Sequence, residues 1–457
     1  MMKHVTQLIL LAFFFVLPCV VDAEENDAEV FLETHRSEFQ KIPIWIMGFA
    51  DGETRQQDGA GIGEQVNAIL KADLRRTQVF EVLERSTDML PLSKAGCREK
   101  IPIEKARESA APVVTWGKIG RQDGKLLIEA CAHDGGETDV IAVGKRYAGA
   151  PITIRLLRSM VHRWADELVA HYTGDPGIAQ TRIIYVSEDK AGRRDLFMMD
   201  YDGFGPKRVT SDPKLSLMPN WSPDRRSVVY TTYRQNNQEI VWFELGKKKK
   251  RILVSPETLN ITPTVSPNGR LLAYASAKDS ATQGNSDIFI MNLSTEITKQ
   301  LTDHRSAELS PTWSPDGREL AFTSDRSGRP QIYIMKADGS HVRRLTWKGR
   351  HNAAPAWSPR GDWIAYVCRI PGYGLKLCRI SPDGKRRVRI TSGPPSEIDD
   401  SPSWAPNGRH LVFSSTRGKQ SGRRNHIYMI HFDGAGLEQL TKGGIHHSSP
   451  AWSPGPE

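Results

Sequence analysis

No Gly-x-Ser-x-Gly pentapeptide occurs in the chain, which excludes the exposed serine elbow of an α/β-hydrolase. Zinc-site spacings are missing too, since no two histidines stand at i,i+4 and no Cys/His pattern of metal-binding spacing is present. His351 and His446 each stand four residues before a proline, with His447 beside the second and Glu397, Asp399 and Asp400 in a nearby segment, but their spacing alone supports no metal. A dinucleotide fingerprint is approached by Gly59-Ala60-Gly61-Ile62-Gly63 and then fails. Its third glycine position holds Glu64, whose carboxylate would repel a phosphate, so the stretch reads as the flexible start of a helix.

Long apolar runs are equally scarce. The one such run, Val5 to Val21, follows a basic start and ends before Val21-Asp22-Ala23, the pattern of a secretory signal peptide over residues 1–23. Its most apolar part, Leu8 to Leu17, is shorter than the roughly 20 residues of a spanning helix, so no direct membrane span is expected. Cysteine is rare, with 5 in 457 residues. Export would place the chain where thiols oxidise, making Cys97 with Cys131, and Cys368 with Cys378, candidates for pairing inside local units; four small buried residues is the alternative.

The net charge of +9 raises the possibility of nucleic acid, through Lys247 to Arg251 (KKKKR) and Lys385 to Arg389 (KRRVR). Both runs fall where a turn between strands is expected, and an exported protein seldom meets nucleic acid. Solvated turns and no nucleic-acid partner are the reading.

What the chain has in abundance is repetition. An apolar-aromatic step recurs as IIYVS, VVYTT, LAYAS, LAFTS, IAYVC and LVFSS, beginning at Ile183, Val228, Leu272, Leu320, Ile364 and Leu411. Between the copies runs a second element, PNWSPD, PTVSPN, PTWSPD, PAWSPR, PSWAPN and PAWSPG, from Pro219 to Pro450 at intervals of 44 to 48 residues. Four strands of about five residues with tight turns fill roughly that interval, the length of one propeller blade. The series are out of phase at their ends. Tyr185 has no Trp-Ser-Pro element before it, and Trp452 has no apolar-aromatic strand after it, so the last strand is expected to complete the first blade and close a ring.

Within one repeat, Thr312 to Ser314, Glu319 to Ser324, Gln331 to Lys336 and Val342 to Thr346 read as strands. Ser314 and Asp316 cap a turn, because six equivalent turns spread around a ring cannot converge into one nucleophile and base. Residues 24–176 differ. Ile42 to Phe49, Val79 to Leu83, Val113 to Ile119, Lys125 to Cys131 and Asp139 to Tyr147 read as strands, and Gly63 to Arg76, Pro102 to Ser109 and the Leu156 to Tyr172 region as helices. The fold expected is an N-terminal α/β domain (24–176), carrying an extended N-terminal segment, followed by an all-β six-bladed propeller (177–457) with end-to-end strand closure.

This order of leader, small α/β domain and six repeats ending in PAWSP resembles the TolB family, periplasmic components of the Tol-Pal envelope systems of Gram-negative bacteria. Ala72-Asp73-Leu74-Arg75, Arg182-Ile183-Ile184-Tyr185-Val186 and Tyr201-Asp202-Gly203 are similar to family motifs. The resemblance implies a periplasmic, non-catalytic adaptor without cofactor or metal, linking the inner-membrane Tol complex to the lipoprotein Pal and the outer membrane, in envelope integrity and constriction at cell division. It implies a TolA-binding segment at Glu29, Val30, Phe31, Leu32 and Glu33, with Phe31 in place of a usual polar residue. Further outer-membrane partners are compatible with it. It also implies a Pal-binding face in the loops before the inner-strand prolines, comprising Leu259, Asn260, Thr262, Glu308, Leu309, Ser310, His351 and Ala354, with Leu259 where a histidine is common. The competing class is an exported propeller hydrolase or carbohydrate-binding protein that uses the central channel as its pocket.

Overall fold

A computed structural model describes residues 40–51, 61–84, 97, 111–135, 141–211, 215–234, 237–254, 259–277, 285–418, 424–443 and 445–456. The expected leader, the Glu29 to Glu33 segment and the expected helix at 102–109 lie outside these residues.

The first part builds one five-stranded sheet from β1 (Ile42–Asp51), β2 (Phe80–Val82), β3 (Val113–Gln122), β4 (Lys125–Asp134) and β5 (Ile141–Gly149), in the order β2-β1-β3-β4-β5. Strand β1 runs parallel to both neighbours, and parallel strands need a crossover. Helix α1 (Ile62–Arg76) lies between β1 and β2 in the chain, and its Val66, Leu70 and Leu74 are buried at the spacing of one helical face. Helix α2 (Ile154–Thr173) buries Leu157, Val161, Trp164 and Leu168 in the same way. Thr153 caps its start by accepting the Leu156 N–H, and Gly174 ends it in the left-handed region, where a side chain would be strained. Disulfides join Cys97 to Cys131 and Cys368 to Cys378, so both candidate pairs are bonded.

Six four-stranded antiparallel sheets follow. Blade I contains β6 (Arg182–Glu188), β7 (Arg194–Asp200) and β8 (Lys207–Arg208). Blade II is β9 (Ser216–Trp221), β10 (Ser227–Arg234), β11 (Asn237–Glu244) and β12 (Lys249–Val254), and blade III is β13 (Leu259–Val265), β14 (Leu271–Ala277), β15 (Asp287–Asn292) and β16 (Thr298–Gln300). Blade IV is β17 (Glu308–Trp313), β18 (Glu319–Ser324), β19 (Gln331–Lys336) and β20 (Arg343–Arg344). Blade V is β21 (Asn352–Trp357), β22 (Ile364–Ile370), β23 (Gly374–Ile380) and β24 (Arg387–Arg389); blade VI is β25 (Asp399–Trp404), β26 (His410–Ser415), β27 (His426–His431) and β28 (Glu438–Gln439). The inner strand of blade I arrives last. Strand β29 (His446–Trp452) pairs antiparallel with β6, Trp452 opposite Ile183 and His446 opposite Glu188, which is the expected closure.

Two expectations need correction. The inner strands begin before the prolines, with β17 starting at Glu308 rather than Thr312, because the chain bulges at the proline and then resumes pairing. The basic runs are only partly turns. Lys249, Lys250 and Arg251 lie on the outer strand β12, and Arg387 to Arg389 form β24, since an outermost strand exposes its side chains enough for cations to stay solvated.

Ser314 and Asp316 shape a turn. The Ser314 hydroxyl donates to Asp316 (2.6 Å) and accepts the Glu319 N–H (2.9 Å), while Asp316 accepts the Arg318 N–H (3.1 Å). Blades are also stapled to one another. The indole N–H of Trp221, Trp313 and Trp404 donates to the carbonyl of Ala451, Thr264 and Ala356 on the preceding blade, at 3.0, 3.3 and 2.9 Å. Where blade III carries Val265 in place of tryptophan, this bond cannot form.

The Asp-Gly turns face the preceding blade closely. At Gly339, φ is 91°, and an added Cβ would stand 2.7 Å from the Leu301 carbonyl oxygen; at Gly192, φ is 78° with open space around it. Gly192→Ala is expected to cost about 1 kcal/mol from backbone strain alone. Gly339→Ala adds the collision and is expected to cost about 3 kcal/mol. Denaturant unfolding of the two variants side by side checks this, and equal costs would remove the close approach as a cause.

Candidate functional site

The six inner strands share one irregularity. The residue directly before each proline, Met218, Thr262, Ser310, Ala354, Ser401 or Ser449, has a positive φ of 47 to 54°, and the register with the second strand shifts there in every blade. Proline has no N–H to give a ladder, so a bulge lets it sit in a strand without leaving a carbonyl unpaired. Six bulges on six inner strands place these residues and their prolines around the central channel, a cavity of about 580 Å³. Among the described residues its lining is threonine, serine, alanine, asparagine, proline and tryptophan with Met218, Val265 and Gly455, and no ionisable side chain.

The residues implied as a Pal-binding face therefore separate into three groups. Thr262, Ser310 and Ala354 line the channel, and the Ser310 N–H donates to the Thr262 hydroxyl across two blades (3.2 Å). Leu259, Leu309 and His351 are half-buried and stand shortly before them in the chain, Leu309 packing against the core between blades III and IV. Burial holds the His351 imidazole below its usual pKa, against the attraction of Asp400. Asn260 and Glu308 were expected in partner-facing loops, but both lie inside inner strands and are buried. Asn260 donates to the Gln238 carbonyl and accepts from Ser276, and Glu308 pairs with Arg326. A buried carboxylate or amide needs such partners, and these two find them within the ring.

They belong to a series that motif reading overlooked. Three residues before each proline stand Ser216, Asn260, Glu308, Asn352, Asp399 and His447, all buried, each opposite a residue of the second strand. Constant spacing from the proline was the available signal. Each forms a polar row with the second and third strands, such as Asp399, Ser415 and His426, where Asp399 pairs with Arg417 at 2.5 Å.

At the other end of the ring the blades meet the two helices. Asp73 of α1 accepts from His162 Nδ1 of α2 (2.7 Å) and from the Tyr201 hydroxyl of the turn after β7 (2.5 Å). Arg158 of α2 pairs with Asp202, and Arg76 reaches Glu438 of blade VI with two hydrogen bonds of 2.8 and 2.7 Å. Asp175, in the connection between helix and propeller, is shared by Arg360 (2.9 Å) and Arg409 (2.5 Å), which hold its carboxyl below the usual range despite burial. Among the described residues, Asp73, His162 and Asp202 are close enough to share a metal ion. Arg76 lies 3.8 Å from Asp73 and 3.7 Å from Asp202, and Arg158 pairs with Asp202. Positive charge is already supplied, so the set reads as a junction rather than a metal centre.

The chain matches the family described as TolB beta propeller domain over residues 169–455. Curated relatives include "Tol-Pal system protein TolB" of Francisella tularensis subsp. tularensis, 29% identical over 316 residues, covering 66% of this chain and 70% of that protein. The same-named protein of Francisella tularensis subsp. mediasiatica is 30% identical with the same coverage. Among solved structures, TolB from Acinetobacter baumannii aligns over 91% of this chain and 97% of its own, with a TM-score of 0.76 and 27% identity.

Two buried groups at the junction respond to pH with opposite sign. His410 of β26 donates from Nε2 to the Arg76 carbonyl (2.9 Å), and burial, then the neighbouring His431, push its pKa down to about 3. A histidine depressed when folded favours the folded state above its unfolded pKa of about 6.5, and that contribution is lost as pH falls toward 3. Asp166, which accepts from the Ala179 and Gln180 N–H groups, is pushed up to about 6 by burial. Its contribution is fully present below about pH 3.8 and lost as pH rises through 6. His410→Gln keeps a donor and removes the titration. Unfolding free energy measured between about pH 6.5 and pH 4 is expected to fall less steeply in this variant, by up to about 1.4 kcal/mol per pH unit. An unchanged slope would exclude His410 as the titrating group.

Proposed function

The chain belongs to the TolB propeller family, and from that premise we propose that it is a periplasmic, non-catalytic adaptor linking an inner-membrane Tol complex to Pal and the outer membrane, in envelope integrity and constriction during division. The observation that carries this reading is an architecture shared with a TolB over 91% of the chain. The channel supports it from chemistry. An uncharged lining offers no acid or base for bond cleavage, whereas a ring of small residues and prolines presents a rigid concave surface to a protein partner.

On this reading Pal seats at the channel mouth against Thr262, Ser310 and Ala354, with Leu259, Leu309 and His351 around them. Asn260 and Glu308 act from behind by fixing the strands that present the mouth. The Glu29 to Glu33 segment adds as a strand to a sheet edge of TolA, the mode open to a short alternating peptide. Residues 24–176 and 177–457 serve as the two domains, joined by a shared core and the Asp73–Tyr201 bond, through which occupancy of one site biases the other.

A pull-down of envelope proteins with the tagged mature chain tests the assignment. Pal is expected with the native sequence and absent with Ala354→Arg, which puts a long cation into the channel at an unchanged backbone angle. Deleting residues 24–33 is expected to remove TolA and to change Pal affinity. Recovery of a sugar ligand or of hydrolytic turnover without Pal would support the competing class.

A further inference from the structure

Blades IV and V carry a basic, aromatic rim that the channel-mouth reading does not use. The connection from β20 to β21 contains Trp347, Lys348 and Arg350, all exposed, with Trp347 at 72%. Arg344 lies over one face of the Trp347 ring, 4.7 Å from its centroid, and is held there by donating to the Thr346 carbonyl (2.6 Å). The Trp347 side chain is otherwise largely open to solvent.

Rigid backbone bonds bring further cations to this place. The Asn352 N–H donates to the Pro330 carbonyl (2.9 Å) and its side chain to the Lys348 carbonyl (2.9 Å), which sets the connection against Arg329, exposed just before Pro330. Gln331 donates to the Gly349 carbonyl (3.0 Å), and the Arg369 N–H to the His351 carbonyl (2.9 Å), so exposed Arg369 borders the other side. Beyond it, Tyr373, 41% exposed, has Arg389 over its ring at 4.5 Å. Two neighbouring blades thus repeat one device, an outer-strand arginine under an exposed aromatic.

Countercharge is sparse. Among the described residues none of Arg329, Lys348, Arg350 and Arg369 is in an ion pair, and Asp325 and Asp400 are the exposed carboxylates of the flanking segments. The buried polar rows follow the same trend. At the third-strand position of this row, blades I, II and III have the carboxylates Asp195, Glu239 and Asp287, where blade IV has Gln331 and blade V has Lys376. Blade V alone has a row without a carboxylate, formed by Asn352, Cys368 and Lys376.

We propose that this rim of blades IV and V is a docking surface for an acidic polypeptide segment of a partner protein. Guanidinium forks take carboxylates in pairs, and an exposed indole backed by a cation offers an apolar face for the segment's stem. The bonds to Pro330, Lys348, Gly349 and His351 fix the backbone that carries the cations before binding, which lowers the ordering cost. A bilayer fits less well, because the two rings stand on separate blades amid charge and form no continuous apolar face to insert. The inference is additional to Pal recognition at the channel mouth, whose His351 adjoins Arg350.

A fluorescein-labelled glutamate-glycine repeat peptide, followed by anisotropy with the mature chain, tests it. Lys348→Glu with Arg350→Glu is expected to weaken binding about tenfold or more, and Trp347→Ala by several-fold. Raising salt from about 50 to 300 mM is expected to weaken the native complex. Lys247→Glu with Lys250→Glu removes the same charge from blade II and is expected to leave binding unchanged. Equal loss in the two double variants would reduce the effect to net charge and overturn the proposal. So would tighter binding of the native chain to phosphatidylglycerol vesicles or to a single-stranded oligonucleotide than to the peptide.

Discussion

The whole ring rests on the pairing of β29 with β6. A propeller whose last strand stayed unpaired would leave β6 with an open ladder beside the channel and blade I without an inner strand. Closure instead ties residues from opposite ends of the repeat region. The Ser453 N–H donates to the Arg182 carbonyl (2.8 Å), the Ser453 hydroxyl accepts the Arg182 N–H (3.0 Å), and the Trp452 indole donates to the Thr181 hydroxyl (2.7 Å). Loop-closure entropy grows only slowly with length, so joining ends this far apart costs little more than joining nearer ones. The gain is an interface between blades VI and I, where the Trp452 N–H donates to the Ser403 hydroxyl (3.0 Å).

Once closed, the ring forces each inner strand to obey the same geometry, and this is why the bulge, the proline and the buried polar row recur together. The proline needs a place without a ladder donor, the bulge provides it, and the polar residue three positions earlier restarts the register. What varies is the sign of charge. Glu308 with Arg326 and Asp399 with Arg417 are buried pairs with hydrogen-bonded serines, whereas Lys376 donates to the Pro394 and Glu397 carbonyls. Removing one member of such a pair leaves a buried charge uncompensated, which is costly, while the intact pair contributes less than its geometry suggests.

The junction with the helices follows a different logic. One apolar cluster runs from Leu70, Leu74, Val161 and Trp164 to Ile183, Tyr201, Met429 and Trp452, so the α/β region and the propeller share a core. Asp73, Tyr201, Arg76 and Glu438 then set the angle at which that core is shared. Hydrophobic burial is non-directional, and hydrogen bonds to charged groups are what give such an interface a single register.

Periodicity made the ring legible from sequence, because six copies of a strand and a turn at a fixed interval leave few architectures, and the mismatch at Tyr185 and Trp452 pointed to closure. Local chemistry made the Ser314 and Asp316 turn legible, as its bonds span only five residues. Channel-facing residues were harder. Asn260 and Glu308 look like polar loop residues in sequence, and only the bulge, which adds a residue and moves strand starts ahead of the proline, turns them inward. The Asp73 junction joins residues 128 positions apart, and the rim around Trp347 joins loops of two blades, so neither leaves a periodic trace. The repeated unit is written in the residue order, since its pattern is short-ranged and set by turns and strand alternation. Which side chains face the channel, the junction and the rim follows from packing, because those faces exist once the blades stand around a common axis.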